Sequence, residues 1–169
     1  MEKLNKRVLL FISVIIFIIV TMFGLNEIKS FDGYYRTIDG VVNHQKEARD
    51  GAENIALIKN GSGYIKIMRL DDAVIFYSFK SKKTLTGKKY ALAHKATKII
   101  DYSALPENLP DTRDWNIFSK IIFNNPDEKD LYWYIIKASN DLIIENNINK
   151  YEYLYNGNNY YLLCSLISD

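Results

Sequence analysis

The residues with chemistry to offer are few: two histidines, one cysteine and a scatter of carboxylates. His44 and His94 lie fifty residues apart, and neither has a second His or Cys at ligand spacing beside it. A metal site needs three or four converging donors of suitable type. His44 can share a helix face with Glu47 at i, i+3, a spacing that a surface histidine shows without any ligand. His94 stands among Lys89, Lys95 and Lys98, whose positive charge opposes a bound cation. The pattern points to no metal and no cofactor. Cys164 is the only cysteine, so no intramolecular disulfide forms. Its place in the apolar run 160–167 marks it as a small buried hydrophobe rather than a reactive thiol.

Nucleophilic and phosphate chemistry find no better footing. There is no Gly-x-Ser-x-Gly elbow, and Gly61-Ser62-Gly63 falls where a hairpin turn is expected. No Gly-x-Gly-x-x-Gly or Gly-Lys-Ser/Thr loop follows a strand, and Gly87-Lys88-Lys89 has neither the spacing nor the hydroxyl. The pairs Asp71-Asp72 and Asp127-Glu128 sit in expected turns, where turn chemistry accounts for them. Asp141, Glu145 and Glu152 lie near aromatic strands. They keep open one enzymatic alternative, a hydrolase or transferase acting on envelope material with two carboxylates as acid and base. No residue is assigned a catalytic role.

Two clusters suit binding instead. Between residues 80 and 98 run Lys80, Lys82, Lys83, Lys88, Lys89, Lys95 and Lys98, with no Asp or Glu among them. Such a stretch fits edge-strand protection, contact with anionic envelope polymers or lipid headgroups, or an acidic protein partner. The other cluster is aromatic: Tyr132, Trp133 and Tyr134, followed by Tyr151, Tyr153 and Tyr155, which strand alternation sends to one face. Turned outward, that face would bind a partner or glycan; turned inward, its hydroxyls would line an interior.

The elements that must carry these residues read as mainly β. Residues 32–38 are expected as a first strand and Asp39 as the cap of a short helix ending near Gly51. Three strands follow over 55–58, 64–70 and 73–79, linked by turns at 59–63 and 71–72 too short for anything but an antiparallel meander. Residues 81–89 read as a basic loop and 90–101 as a further strand, with a helix the alternative. Pro106 and Pro110 mark residues 103–114 as a surface connection. Further β segments are expected over 115–123, 131–136 and 142–148. The clearest hairpin joins 151–155 to 160–167 through Asn156-Gly157-Asn158-Asn159. Such closely spaced strands with one or two short helices predict an antiparallel barrel or a sandwich of two sheets. The segment Phe31-Asp-Gly33-Tyr-Tyr35 resembles the Gly-x-Trp opening of lipocalin-like barrels, but tyrosine replaces the tryptophan. The likeness covers a few residues and carries over no ligand pocket.

One stretch decides where the domain works. Residues 8–25 hold no charge, and eighteen residues of helix at about 1.5 Å each span roughly 27 Å, close to the thickness of a bilayer core. Lys3, Lys6 and Arg7 precede the run against Glu2 alone, which predicts a cytoplasmic N-terminus and an exported body. A cleaved signal shares this charge layout. Its apolar region is shorter, however, and the positions before a cut at Gly24 or Ser30 hold Met22 or Ile28 where a small side chain is required. The expected organisation is a cytoplasmic flank at 1–7, a membrane anchor at 8–25 and one β-rich domain at 26–169. Composition rich in Asn, Ile, Lys and Tyr fits a bacterial chain. The sequence-level expectation is a single-pass, non-catalytic binding module of the cell envelope, of which an immunity or inhibitor protein is one version. Its partners would be the lipid bilayer and a protein or anionic polymer, with nucleic acid disfavoured by the topology.

Overall fold

Between residues 53 and 84 β-branched and aromatic side chains alternate around Gly and Asp turns. In the computed structural model these residues form β1 (Glu53–Asn60), β2 (Gly63–Leu70) and β3 (Ala73–Thr84), antiparallel in sequence order. The structure describes residues 8–18, 21, 33–85, 87–106, 118–123, 128–138 and 148–167. A fourth strand, β4 (Gly87–Ile99), completes the order β1-β2-β3-β4. The turns have the backbone their residues allow: Asp71 takes φ 51° and Gly61 φ 56°. β1 carries a register shift between Asn54 and Ala56.

A second antiparallel sheet contains β5 (Ser119–Ile121), β6 (Asp130–Lys137), β7 (Asn149–Tyr155) and β8 (Asn158–Ile167), in the order β5-β6-β8-β7. The β7–β8 hairpin closes on Asn156 at φ 48° and Gly157 at φ 76°. Two successive positive φ values are what a two-residue turn needs to match the strand twist. The expected four-residue connection is therefore tighter than its composition implied. The protein is mainly β, with two antiparallel sheets and few short helices.

Two compact units are distinguished, Met1–Arg49 with Ser81–Ala91, and Asp50–Lys80 with Leu92–Asp169. In the second unit both sheets feed one hydrophobic cluster. The first sheet supplies Ala56, Ile58, Ile65, Ile67, Val74 and Phe76, and the second Leu131, Trp133, Ile135, Tyr153, Tyr160, Leu162 and Cys164. Phe76 meets Trp133 with ring centroids 5.0 Å apart. β3 is buried on both faces from Val74 to Phe79. Its near-continuous apolar run, broken only by the buried Ser78, follows from that.

In the first unit residues 8–18 are helical (α1) and exposed. Among the described residues no helix is long and apolar enough to cross a membrane; residues 19, 20 and 22–25 of the expected anchor lie outside them. The expected strand at 32–38 reduces to one bridge, Tyr35 with Tyr90, closed by hydrogen bonds of 2.8 and 2.7 Å. The helix cap is Thr37 rather than Asp39: its hydroxyl accepts from Gly40 N at 3.0 Å. That places Asp39 in the first turn of α2 (Ile38–Val42), where its charge favours the helix N-terminus. α3 (Lys46–Arg49) follows after a break at 43–45, and Gly51 at φ 93° ends the segment. The expected loop at 81–89 is instead the far end of the β3–β4 hairpin, with strand at 81–84 and from 87. The polarity that read as loop belongs to an exposed β ribbon. Expected segments at 107–117, 124–127 and 139–147 lie outside the described residues.

Candidate functional site

The basic residues fall on one hairpin. β4 is an edge strand, and none of its 13 residues is buried. Lys88, Lys95 and Lys98 are exposed on it and Lys89 is half-buried, while Lys80, Lys82 and Lys83 are exposed on β3. An edge strand offers unpaired backbone groups to any passing strand, and lysines along it oppose self-association while attracting anionic surfaces. Two of these side chains lie over aromatic rings. Lys82 Nζ is 5.6 Å from the Tyr34 ring centre and Lys95 Nζ 6.0 Å from that of Tyr77. Such packing orders the stem and leaves the ammonium charge in place.

Within the second unit, β3 and β4 open onto a cleft of about 290 Å³ lined by Ser78, Lys80, Ala93, His94, Ile122, Phe123 and Glu128. His94 packs edge-on to Phe123 at 6.3 Å. Glu128 Oε1 reaches to 3.3 Å from where a Cβ on Gly63 would stand, so this glycine leaves room for the carboxylate. An ammonium, an imidazole and a carboxylate around a small cavity can seat a polar group through hydrogen bonds of both senses. Three chain segments converge here, and none of them signals the others by spacing; sequence reading placed His94 among lysines and Glu128 in a turn.

The aromatic cluster divides between two faces. Tyr153 belongs to the core, with Tyr151 and Tyr155 packed against it, so the face shared by these three tyrosines points inward. Trp133 is buried there too, its Nε1 without a hydrogen-bond partner. The Tyr153 and Tyr102 hydroxyls lie 3.2 Å apart, Tyr102 stacks on Tyr155 at 4.0 Å, and the Arg69 guanidinium sits 5.1 Å above the Tyr155 ring. Arg69 is held by Glu53 at 2.7 Å and by the Asp71 carbonyl at 3.0 Å. Burial raises the pKa of Tyr102, Tyr151 and Tyr153 above the phenol value of 10.0, and that of the Cys164 thiol above 9.0. A buried, protonated thiol is a poor nucleophile.

Tyr132 and Tyr134 take the other face of the second sheet, beside Tyr161 and over Phe118, Ile136, Ile148 and Leu163. Lys120 Nζ lies 5.3 Å from the Tyr132 ring and Lys150 Nζ 4.4 Å from that of Tyr161. Glu152 is exposed on this same face, opposite Tyr161 in register. Asp141 and Glu145, its expected companions, lie outside the described residues.

His44 occupies the turn between α2 and α3, so the helix face expected to pair it with Glu47 does not form. Its Nδ1 is 2.8 Å from Gly40 O, which fixes the proton on that nitrogen, and its ring lies 4.9 Å from Tyr35. Among the described residues no three His, Cys, Asp or Glu side chains converge as metal ligands. No protein-family model, curated protein or solved structure matches the chain.

Proposed function

We propose that this chain is a membrane-anchored, extracytoplasmic binding module of the bacterial envelope, working without catalysis. The observation that carries the reading is β4: a long edge strand with no buried side chain and a high density of lysine. Strand edges bind by backbone pairing, and the charge selects an acidic protein segment or an anionic polymer. The cleft beside β4 adds a place for one polar group of the partner. Support for the anchor is the uncharged run 8–25 with its basic N-terminal flank. The body would be a sandwich of two facing sheets, a reading supported by the one cluster to which both contribute.

The test is capture from envelope extract by the full detergent-solubilised chain, at low and high salt, compared with a variant carrying Lys82, Lys83, Lys88 and Lys89 changed to Glu. A partner held at low salt, released at high salt and lost by the variant supports the proposal. Capture that ignores both salt and charge reversal removes it.

A further inference from the structure

The end of the β3–β4 hairpin has a property that edge protection does not explain. Leu85 is 108% exposed, as open as a leucine can be, and stands between Lys82 and Lys83 on one side and Lys88 and Lys89 on the other. From residue 73 to residue 100 the chain holds no acidic side chain to offset them. An apolar tip flanked in sequence by lysines is the pattern of elements that sit in the headgroup layer, with the apolar group below the phosphates and the charges among them.

The same compact unit ties this hairpin to the residues that leave the anchor. Tyr35 and Tyr90 exchange two backbone hydrogen bonds, and Lys82 lies over the ring of Tyr34. Eight residues separate Leu25 from Tyr34, a contour of at most about 32 Å even when fully extended. Leu85 lies five residues along the chain from Tyr90, a reach of at most about 18 Å. The hairpin tip is therefore tethered within reach of the bilayer surface from which the chain emerges. Tethering raises the effective concentration of a weak surface contact, so four lysines and one leucine suffice where a free domain would dissociate.

We infer that the β3–β4 hairpin tip docks on anionic lipid headgroups, with Leu85 entering the interface and Lys82, Lys83, Lys88 and Lys89 contacting phosphates. This rests on the reading of residues 8–25 as a membrane span. At the tip, as distinct from the β4 strand edge further along, the occupant is lipid, because the tether, the charge and the exposed apolar residue all point to the same surface. Docking of the tip would fix the domain's orientation on the membrane.

The experiment uses the full chain with Leu85→Cys, labelled with an environment-sensitive fluorophore and reconstituted into vesicles. Cys164 is buried and does not compete for the label. In vesicles rich in phosphatidylglycerol the emission should shift to the blue and be quenched by doxyl-labelled lipid. In pure phosphatidylcholine the quenching should fall several-fold, since each lysine near an anionic surface contributes about fivefold to the partition. Adding Lys→Glu at the four positions should abolish the difference between the two lipids, and a Lys→Gln set at the same positions guards against misfolding of the reversed variant. An unquenched tip in anionic vesicles, with the chain still resistant to alkaline extraction, overturns the docking and leaves the anchor standing. Equal quenching in both lipids also overturns it, because charge then plays no part. A chain extracted by alkali defeats the anchor and this inference together.

Discussion

Asn60 shows how one polar side chain can act as a piece of sheet. It is 1% exposed at the end of β1, and its amide donates to Lys129 O at 2.9 Å and accepts from Lys129 N at 2.9 Å. The pair mimics a β-bridge between the first hairpin and the segment entering β6. Asn60→Ala removes both hydrogen bonds to the partly buried Lys129 backbone, which should cost on the order of 1 kcal/mol in denaturant unfolding, with Asn60→Asp at least as harmful through loss of the donor. Sequence reading placed Asn60 in a turn; its true partner is 69 residues away, and no spacing announces it. The buried tyrosines and Cys164 make a second prediction. Their native pKa values are raised above ordinary ones, so from about pH 9 upward the unfolded chain releases protons that the native state keeps. Stability should be flat on this account below about pH 9 and fall as pH rises beyond it. Tyr153→Phe should flatten part of that fall while losing the hydrogen bond to Tyr102, a cost of about 1 kcal/mol near neutrality.

At the scale of elements, two glycines separate steric need from conformational need. A Cβ on Gly63 would stand 2.3 Å from the Phe79 carbonyl oxygen, a backbone atom that moves only if the β2–β3 pairing moves. Gly157 has open space but a φ of 76°. Gly63→Ala should therefore lower stability by upwards of about 2 kcal/mol, and Gly157→Ala by about 1 kcal/mol, as read from urea midpoints at constant slope. The meander β1–β3 and the β7–β8 hairpin were legible, because alternation and turn residues coincide there. The extension of β3 past residue 80 and the start of β4 at 87–89 were not, since their lysines and small residues carry no apolar period; the pairing between the two strands supplies what the pattern lacks. The inward turn of Tyr151, Tyr153 and Tyr155 was likewise open, because a tyrosine row fits a core as well as a surface. Their common face could be read, and its direction needed the opposite sheet. The cleft with Ser78, His94 and Glu128 was invisible for the same reason.

Across the whole molecule, charge divides with the sheets. Residues 1–100 hold 17 Lys and Arg against 9 Asp and Glu, and residues 101–169 hold 5 against 11. Strands β1–β4 all come from the first set and β5–β8 from the second. Attraction to an anionic surface through the basic set is long-ranged only while the Debye length is long, and it shrinks from about 10 Å at 0.1 M salt to about 3 Å at 1 M. A chain held to membranes by its lysines alone would therefore wash off in high salt. The run 8–25 predicts something different: retention in both high salt and alkaline carbonate, because burial of an apolar helix in lipid depends on neither ionic strength nor the pH of the bath. Alkali strong enough to unfold the tyrosine-rich body should leave the anchored chain in the membrane pellet. Ile16→Lys places a charge at the middle of the run, where insertion then costs about 2.5–3.5 kcal/mol more, and should move much of the chain to the soluble fraction. Release of the wild-type chain by carbonate would sink the anchor. A soluble chain shortened by about the length of residues 1–25 would show instead that the run is a cleaved signal, leaving the lysines of the hairpin as the domain's remaining hold on an anionic surface.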